Sequence, residues 1–361
     1  MKSRIIFSVT TDITYDQRMI RICTTLFENG YDVLLVGRKK NTSLPLNFPF
    51  KTTRLNCFFQ KGKFFYIEYN IRLFFYLFFN KTDILCAIDL DSILPNYYIS
   101  KWKNIPLVYD AHEYFTEVIE VTNRPKIKQC WEAIEAKVVP KLKYAYTVNH
   151  SLAQLFKEKY NTNFEIIRNI SVLKPLPLKK ITQKPYIIYA GVLNEGRGLE
   201  ETIEAIQFCN INFMICGEGD ISEKLKAQVK HLNLEDKVIF KGYVQPVELQ
   251  NLIENAYAGI LVLKNEGLSY YYSLANKFFD YLHAGIPQIT TDFPEYRSLN
   301  ENYDVAIYAE LNATSIASAI QKLVTDKTLY ERLQNNTLTA REALNWQKES
   351  EKLLAFYDSI R

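Results

Sequence analysis

Two short stretches place a cation at the start of a helix, where the chain presents bare amides. In SLANKFFDYLHAGIPQITTD (273–292) the pattern turns helical after Ala275. Phe278, Phe279, Leu282 and Ala284 are apolar, and Gly285 with Pro287 stops the run. Asn276 and Lys277 fall in the first turn, and Asp280 follows Lys277 at i+3 on the same face. A cation there meets the positive end of the helix macrodipole, a poor position unless an anion shares it. In YAGVLNEGRGLEETIEAI (189–206), a strand ends at Gly191 and Arg197 stands between Gly196 and Gly198, just before a helix. A phosphate at that helix start would meet free N–H groups and a guanidinium together. The plainer alternatives are a surface arginine in a loop and a lysine snorkelling to solvent.

Other strand ends carry weaker signals. ICGEGD has the same order of strand, Gly217-Glu218-Gly219 and helix, with Asp220 or Ser222 as the expected cap. VIFKGYVQP sets Gly242 and Tyr243 at another strand end, where the backbone could read a base edge or simply turn. LVYDAHEYF puts Asp110, His112 and Glu113 just past a strand, and Asp16 and Arg18 in TYDQR open the first helix. The latter pair reads either as a ligand contact or as an ion pair at the helix start. Asp89-Leu-Asp91 has the D-x-D shape of a metal site, but Asp91 is expected as the N-cap of the following helix. No metal and no cofactor are expected.

These residues must be held by alternating elements. RIIFSVT, YDVLLVG, DILCAI, PLVYD and YAYTVN read as strands, separated by helical patterns such as 16–29 and IKQCWEAIEAKVV. NISVLKPLPLKKITQKP (169–185) carries three of the twelve prolines and no period, so it reads as a linker. A second series then begins: YIIYAG, INFMICG, KVIFKG, YAGILVL, IPQITT and DVAIYA. Alternation of this kind implies βαβ units around parallel sheets. The expected fold is α/β: two doubly wound Rossmann-like domains facing a central cleft. The expected boundaries are 1–170, a linker at 171–185, 186–344, and a C-terminal helix at 345–361 packing back on the first domain. Nine of the twelve glycines fall between 191 and 285, mostly after a strand, which marks the second domain as the nucleotide side. No G-x-G-x-x-G follows the first strand of either domain, which disfavours a dinucleotide dehydrogenase.

Six cysteines without C-x-x-C and four histidines without ligand spacing suit a reducing cytoplasm. The start, MKSRIIFSVT, runs directly into a strand, so no signal peptide is read. No apolar run is long enough for a transmembrane helix. The net charge is +4, but residues 1–175 hold 25 Lys+Arg against 16 Asp+Glu, or +9, and the rest holds 19 against 24, or −5. The basic half is either a solvated face or a surface that meets an anionic partner. Within it, KGKFFYIEYNIRLFFYLFFNK (61–81) is aromatic with basic ends. It reads as a buried amphipathic helix or as a contact with the inner face of a membrane. Nucleic acid is not expected as a partner.

In this order and spacing, YAGVLNEGRGLEETIEAI, MICGEGD, VIFKGYV and ANKFFDYLHAGIP resemble the family-4 glycosyltransferases of the GT-B fold. The likeness is strongest to bacterial polysaccharide-assembly members with a P-N-K-x-F-E-Y-x-x-x-G-x-P segment. TYDQRMIRICTTLFENGYDV and VYDAHEYF are similar to the family's amino-terminal segments. The resemblance implies that Asp280, in place of the usual Glu, binds the ribose of a nucleotide-sugar. It implies that Lys277 and Arg197 face its diphosphate and stabilise the departing charge without a metal, and that His112 contacts the transferred sugar. Gly191, Gly198, Gly217, Tyr243 and Asn276 complete the expected donor-binding set. Retention of configuration, a glycan or lipid-linked acceptor and a role in surface polysaccharide assembly follow from the same likeness. Three positions depart from it: Tyr272 replaces a frequent Glu, Val192 a frequent Arg, and Ala275 the Pro before Asn-Lys. Two rival readings remain: a nucleotide-sugar 2-epimerase of the same fold, whose S-G-G-x-Q-E-E run is lacking, and a non-catalytic partner protein.

Overall fold

The computed structural model describes residues 3–176 and 185–360. Part of the linker assigned to 171–185 therefore lies outside the described residues. The chain divides into two units, Met1–Asn169 with Glu349–Arg361, and Ile170–Lys348.

The first unit is built on seven strands: β1 (Arg4–Ser8), β2 (Asp32–Lys39), β3 (Lys51–Asn56), β4 (Ile84–Ile88), β5 (Leu107–Ala111), β6 (Tyr144–Thr147) and β7 (Glu165–Ile166). Their order across the sheet is β3-β2-β1-β4-β5-β6-β7, and every pairing is parallel. A parallel sheet is covered on both faces, so its inner strands are apolar throughout. ILCAI and LVYDA are buried along their whole length, even at Asp110. Both strands absent from the sequence reading, β3 and β7, are the sheet's edges. KTTRLN is half-buried at best and β7 is two residues long, so neither has an apolar run to find.

The second unit repeats the plan with β8 (Tyr186–Ala190), β9 (Asn212–Cys216), β10 (Val238–Gly242), β11 (Ala258–Leu261), β12 (Gln288–Thr290) and β13 (Ala306–Tyr308). Their order is β10-β9-β8-β11-β12-β13, again all parallel. In both sheets the order reverses beside the first strand, between β1 and β4 and between β8 and β11. Ligands of doubly wound sheets bind outside the carboxyl ends of the strands at such reversals.

The helix Trp346–Asp358 runs into the first unit. Its Tyr357 ring packs 6.0 Å from Phe7 and 6.3 Å from Tyr146, and Tyr31 Oη donates to Asp358 Oδ1 at 2.6 Å. The helix Gly62–Phe79 turns Phe65, Tyr69, Leu73 and Leu77 inward, at strict i+4 spacing. All six cysteines are free thiols.

Candidate functional site

At the carboxyl edge of the second sheet, the loops leaving β8, β9 and β10 are laced together by their backbones. Gly191 N donates to Cys216 O and Gly217 N to Gly242 O, both at 2.8 Å, and Leu193 N donates to Glu218 O at 3.2 Å. Glycine is required at two of these points. A Cβ on Gly217 would land on the Gly191 carbonyl, and one on Gly191 would lie 2.7 Å from Lys277 Nζ and nearer still to its Cε. Both glycines also hold positive φ, +139° and +149°. The bare backbone at Gly191 is the bed on which the Lys277 stem lies.

Lys277 reaches that bed from the second position of the helix Asn276–His283, which has no side-chain cap and no acid in its first turn. The preceding residue, Ala275, is fixed by donating its amide to Tyr296 Oη at 3.0 Å. Lys277 Nζ stands 4.8 Å from the centre of the Tyr189 ring. Burial, and then the charge of Arg197, hold its pKa down at about 8, with Asp280 pulling weakly the other way. Arg197 comes from the loop before the helix Leu199–Ile206, which Gly198 opens. Its guanidinium carbon lies 5.1 Å from the Tyr270 ring centre, and its buried Nε has no hydrogen-bond partner. Among the described residues, neither charged head has a carboxylate within ion-pair distance. Two cations press on one another at a strand end beside a helix start with free amides. Such a pair can hold an anion of two or more charges and stabilise charge as it develops there.

Asp280 Oδ1 accepts from Ser171 Oγ at 3.2 Å. Asn276 is exposed at the helix start, and Tyr243 stands 73% exposed past the end of β10. The sequence reading missed Tyr189, Tyr270 and Tyr281. Tyr281 is fully buried and its Oη accepts from Ala190 N at 3.2 Å, locking the helix to the end of β8. Its place directly after Asp280 was the available signal. The cap expected from Asp220 or Ser222 is not made, and the helix Ser222–His231 has no side-chain cap. Instead Ser222 Oγ accepts from Gly219 N at 2.9 Å and donates to Gly219 O at 2.8 Å.

The carboxyl edge of the first sheet holds a different constellation. Asp16 caps the helix Gln17–Glu28 by accepting from Met19 N at 3.1 Å. Arg18 does not pair with it. The guanidinium is buried and donates to Asp110 from Nη2 at 2.9 Å and from Nε at 3.3 Å, and to Ile167 O from Nη1 at 3.0 Å. His112 lies between two carboxylates: Nε2 is 3.1 Å from Asp110 Oδ2 and Nδ1 is 3.4 Å from Asp89 Oδ2. Its amide also donates to Asp89 Oδ1 at 2.9 Å. Burial works to raise the Asp110 pKa, but Arg18 and His112 together hold it at about 2. Burial works to lower that of His112, and the two aspartates raise it to about 9. The imidazole is therefore an imidazolium at neutral pH, with both nitrogens engaged.

Asp89 and Asp91 part company. Asp89 takes a left-handed backbone, φ +54°, with its amide donating to Asp110 O. The side chain of Asp91 does not cap the helix Ile93–Lys103. It accepts from Thr10 Oγ1, and burial, then the charge of Asp89, raise its pKa to about 7. Among the described residues no group of three or more His, Cys, Asp or Glu is placed to hold a metal ion.

Residues 176–339 match the family model described as glycosyl transferases group 1. No curated protein sequence matches the chain. Sucrose-phosphate synthase from Thermosynechococcus elongatus superposes with a TM-score of 0.81 at 16% identity, over 99% of this chain and 98% of that one. A glycosyltransferase from Rickettsia africae gives 0.76 at 15%, over 98% and 97%. The Anabaena protein HepE, solved with UDP, gives 0.76 at 11%, over 99% and 100%. The fold is GT-B. Group 1 sequence thus runs across most of the second unit, and the whole chain has the GT-B fold.

Proposed function

We propose that the chain transfers a sugar from a nucleoside-diphosphate donor to a glycan or lipid-linked acceptor in surface polysaccharide assembly, with retention of configuration. The observation that carries the donor assignment is the pair Arg197 and Lys277, two cations at the end of β8 with no carboxylate partner among the described residues. Having HepE in complex with UDP and UDP-glucose among the similar structures supports a nucleotide-sugar as the ligand class.

In this reading the pyrophosphate lies beside the Lys277 and Arg197 heads, at the glycine loops that leave β8 and β9. Arg197 and Lys277 stabilise the negative charge that grows on the leaving diphosphate as the glycosidic bond breaks, the work a divalent ion does in other transferases. Asp280, steadied by Ser171, accepts from the ribose hydroxyls, and Tyr243 stands beside the base. His112 meets the transferred sugar as a charged donor rather than as a general base, because a group with a pKa near 9 is already protonated at pH 7. To bond a sugar hydroxyl it must exchange one of its two carboxylate contacts.

The test is calorimetry with nucleoside diphosphates, beginning with UDP, against the matching nucleosides. Binding of a diphosphate with little or no binding of its nucleoside is expected. Absence of binding by every diphosphate would leave a non-catalytic GT-B protein as the better reading.

A further inference from the structure

The outer face of the helix Gly62–Phe79 is apolar although nothing among the described residues covers it. Phe64, Ile67, Ile71, Phe75 and Phe79 recur every three or four residues, and each is more than half exposed. They form a stripe about 22 Å long at 1.5 Å per residue. Phe78 extends it sideways by stacking on the exposed Trp102 of the neighbouring helix Ile93–Lys103, ring centres 4.4 Å apart. Beside the stripe lies a groove of about 430 Å³, lined by Leu55, Ile71, Phe75 and Phe79 among others. Contiguous exposed apolar surface of this kind marks a contact site.

The charges around it indicate with what. The segments 61–81 and 93–103 carry Lys61, Lys63, Arg72, Lys81, Lys101 and Lys103 against one acid, Glu68. That acid is already engaged, by Arg72 Nε at 2.7 Å and by the amides of Phe58 and Phe59 at 2.9 Å. At the far end of the second helix, a pocket of about 390 Å³ is lined by Lys101, Lys141, Lys143, Tyr97 and Tyr144, with no carboxylate in its wall. A second copy of this chain would set these lysines against themselves. An apolar stripe bordered by uncompensated lysines instead complements a surface with apolar depth and anionic headgroups.

We propose that this face docks on an anionic phospholipid membrane. The stripe lies in the membrane plane, the groove takes part of an acyl chain, and the lysine pocket takes a headgroup phosphate. The helix does not cross the bilayer, since its other face is packed on the sheet and no described helix is long and apolar enough to span. The proposal is independent of what the chain transfers.

Co-sedimentation with vesicles of phosphatidylcholine alone, and of phosphatidylcholine mixed with phosphatidylglycerol, tests it. The protein should pellet with the mixed vesicles, at least tenfold more strongly than with the neutral ones, and less as salt rises. The triple variant Phe64→Ser, Ile71→Ser, Phe75→Ser should lose binding to both. The triple variant Lys101→Gln, Lys141→Gln, Lys143→Gln should bind mixed vesicles on the order of a hundredfold more weakly, about fivefold per charge, and neutral ones unchanged. All six side chains are exposed, so both variants should melt with the wild type. Wild-type protein that stays in solution with both vesicles, or a serine variant that pellets normally, would overturn the proposal. So would a wild-type dimer that the serine substitutions convert to monomer in light scattering, since the stripe would then be a self-interface.

Discussion

Two sheets of the same strand order end in opposite electrostatics. At the first, two cations and two carboxylates neutralise one another: Arg18 with Asp110, and His112 between Asp110 and Asp89, all within 3.4 Å. At the second, Arg197 and Lys277 stand together over Tyr270 and Tyr189, with no carboxylate in ion-pair distance among the described residues. Position at a strand end therefore does not distinguish a structural charge from a binding charge; compensation does. A compensated cluster fixes loops, because each partner is costly to remove. An uncompensated one leaves a repulsion that an incoming anion would relieve, which is why the diphosphate is proposed to bind at the second edge.

Removing a partner from the compensated cluster should produce the largest effect. Arg18→Met leaves Asp110 fully buried without its bidentate donor, and loss of one member of a buried pair costs about 3–5 kcal/mol. Chemical denaturation should show a fall of that size. A loss under about 1 kcal/mol would mean the pair behaves as an exposed one, and the contrast between the two edges would fail.

The pH dependence should be nearly as large. His112 titrates near 6.5 in the unfolded chain and near 9 in the fold, so its raised pKa stabilises the protein fully below pH 6.5. That contribution is lost as pH climbs through 9, by up to about 3 kcal/mol. Asp110 acts at the other end: its pKa, lowered to about 2, adds stability above pH 4 that disappears as pH falls toward 2. Melting curves of the wild type and His112→Asn from pH 6 to 9.5 should converge as pH rises. Parallel curves would show that the imidazolium is not held by its aspartates.

The difference between the edges also explains what sequence could and could not reveal. Arg197 and Lys277 were legible because each is defined by its own helix start, within a few residues of a strand-ending glycine. The Arg18–Asp110–His112 network was not, because its partners lie 92 residues apart and meet only once β5 is laid into the sheet. Asp91 was misread for the same reason: its local context suggested a cap, while its partner, Thr10, arrives from β1's loop. Interior strands announced themselves as apolar runs. Edge strands β3 and β7 did not, because a strand with one open side need not be apolar. The tyrosines beside the two cations were hidden by type: Tyr281, for one, looks like core until its hydroxyl is seen to accept the Ala190 amide.

At the uncompensated edge, a substitution should weaken a ligand rather than the fold. Lys277→Ala should reduce diphosphate affinity by roughly 1.5–3 kcal/mol, the range for hydrogen bonds to charged groups, and leave nucleoside affinity unchanged. Stability should not fall, because the removed charge was half-desolvated and repelled by Arg197. Wild-type affinity should decline as pH rises past about 8, where the free lysine loses its proton, and the variant should lack that decline. Equal calorimetric affinity of the two proteins for the diphosphate would remove Lys277 from the site.

The smallest effect should come from removing metal ions. A transferase that needs a divalent ion uses carboxylates to hold it against the phosphates, and the chain's D-x-D pair is otherwise engaged. Asp89 is tied to His112 and Asp91 to Thr10, both in the first unit, whereas the cations without a carboxylate partner among the described residues belong to the second. Fixed charges on Arg197 and Lys277 should supply the attraction an ion would. Turnover after exhaustive EDTA treatment should stay within about twofold, under roughly 0.5 kcal/mol of barrier. A collapse restored by magnesium or manganese would require Asp89 and Asp91 to leave their present partners. It would also reverse the comparison, making the compensated edge the one that waits for a ligand.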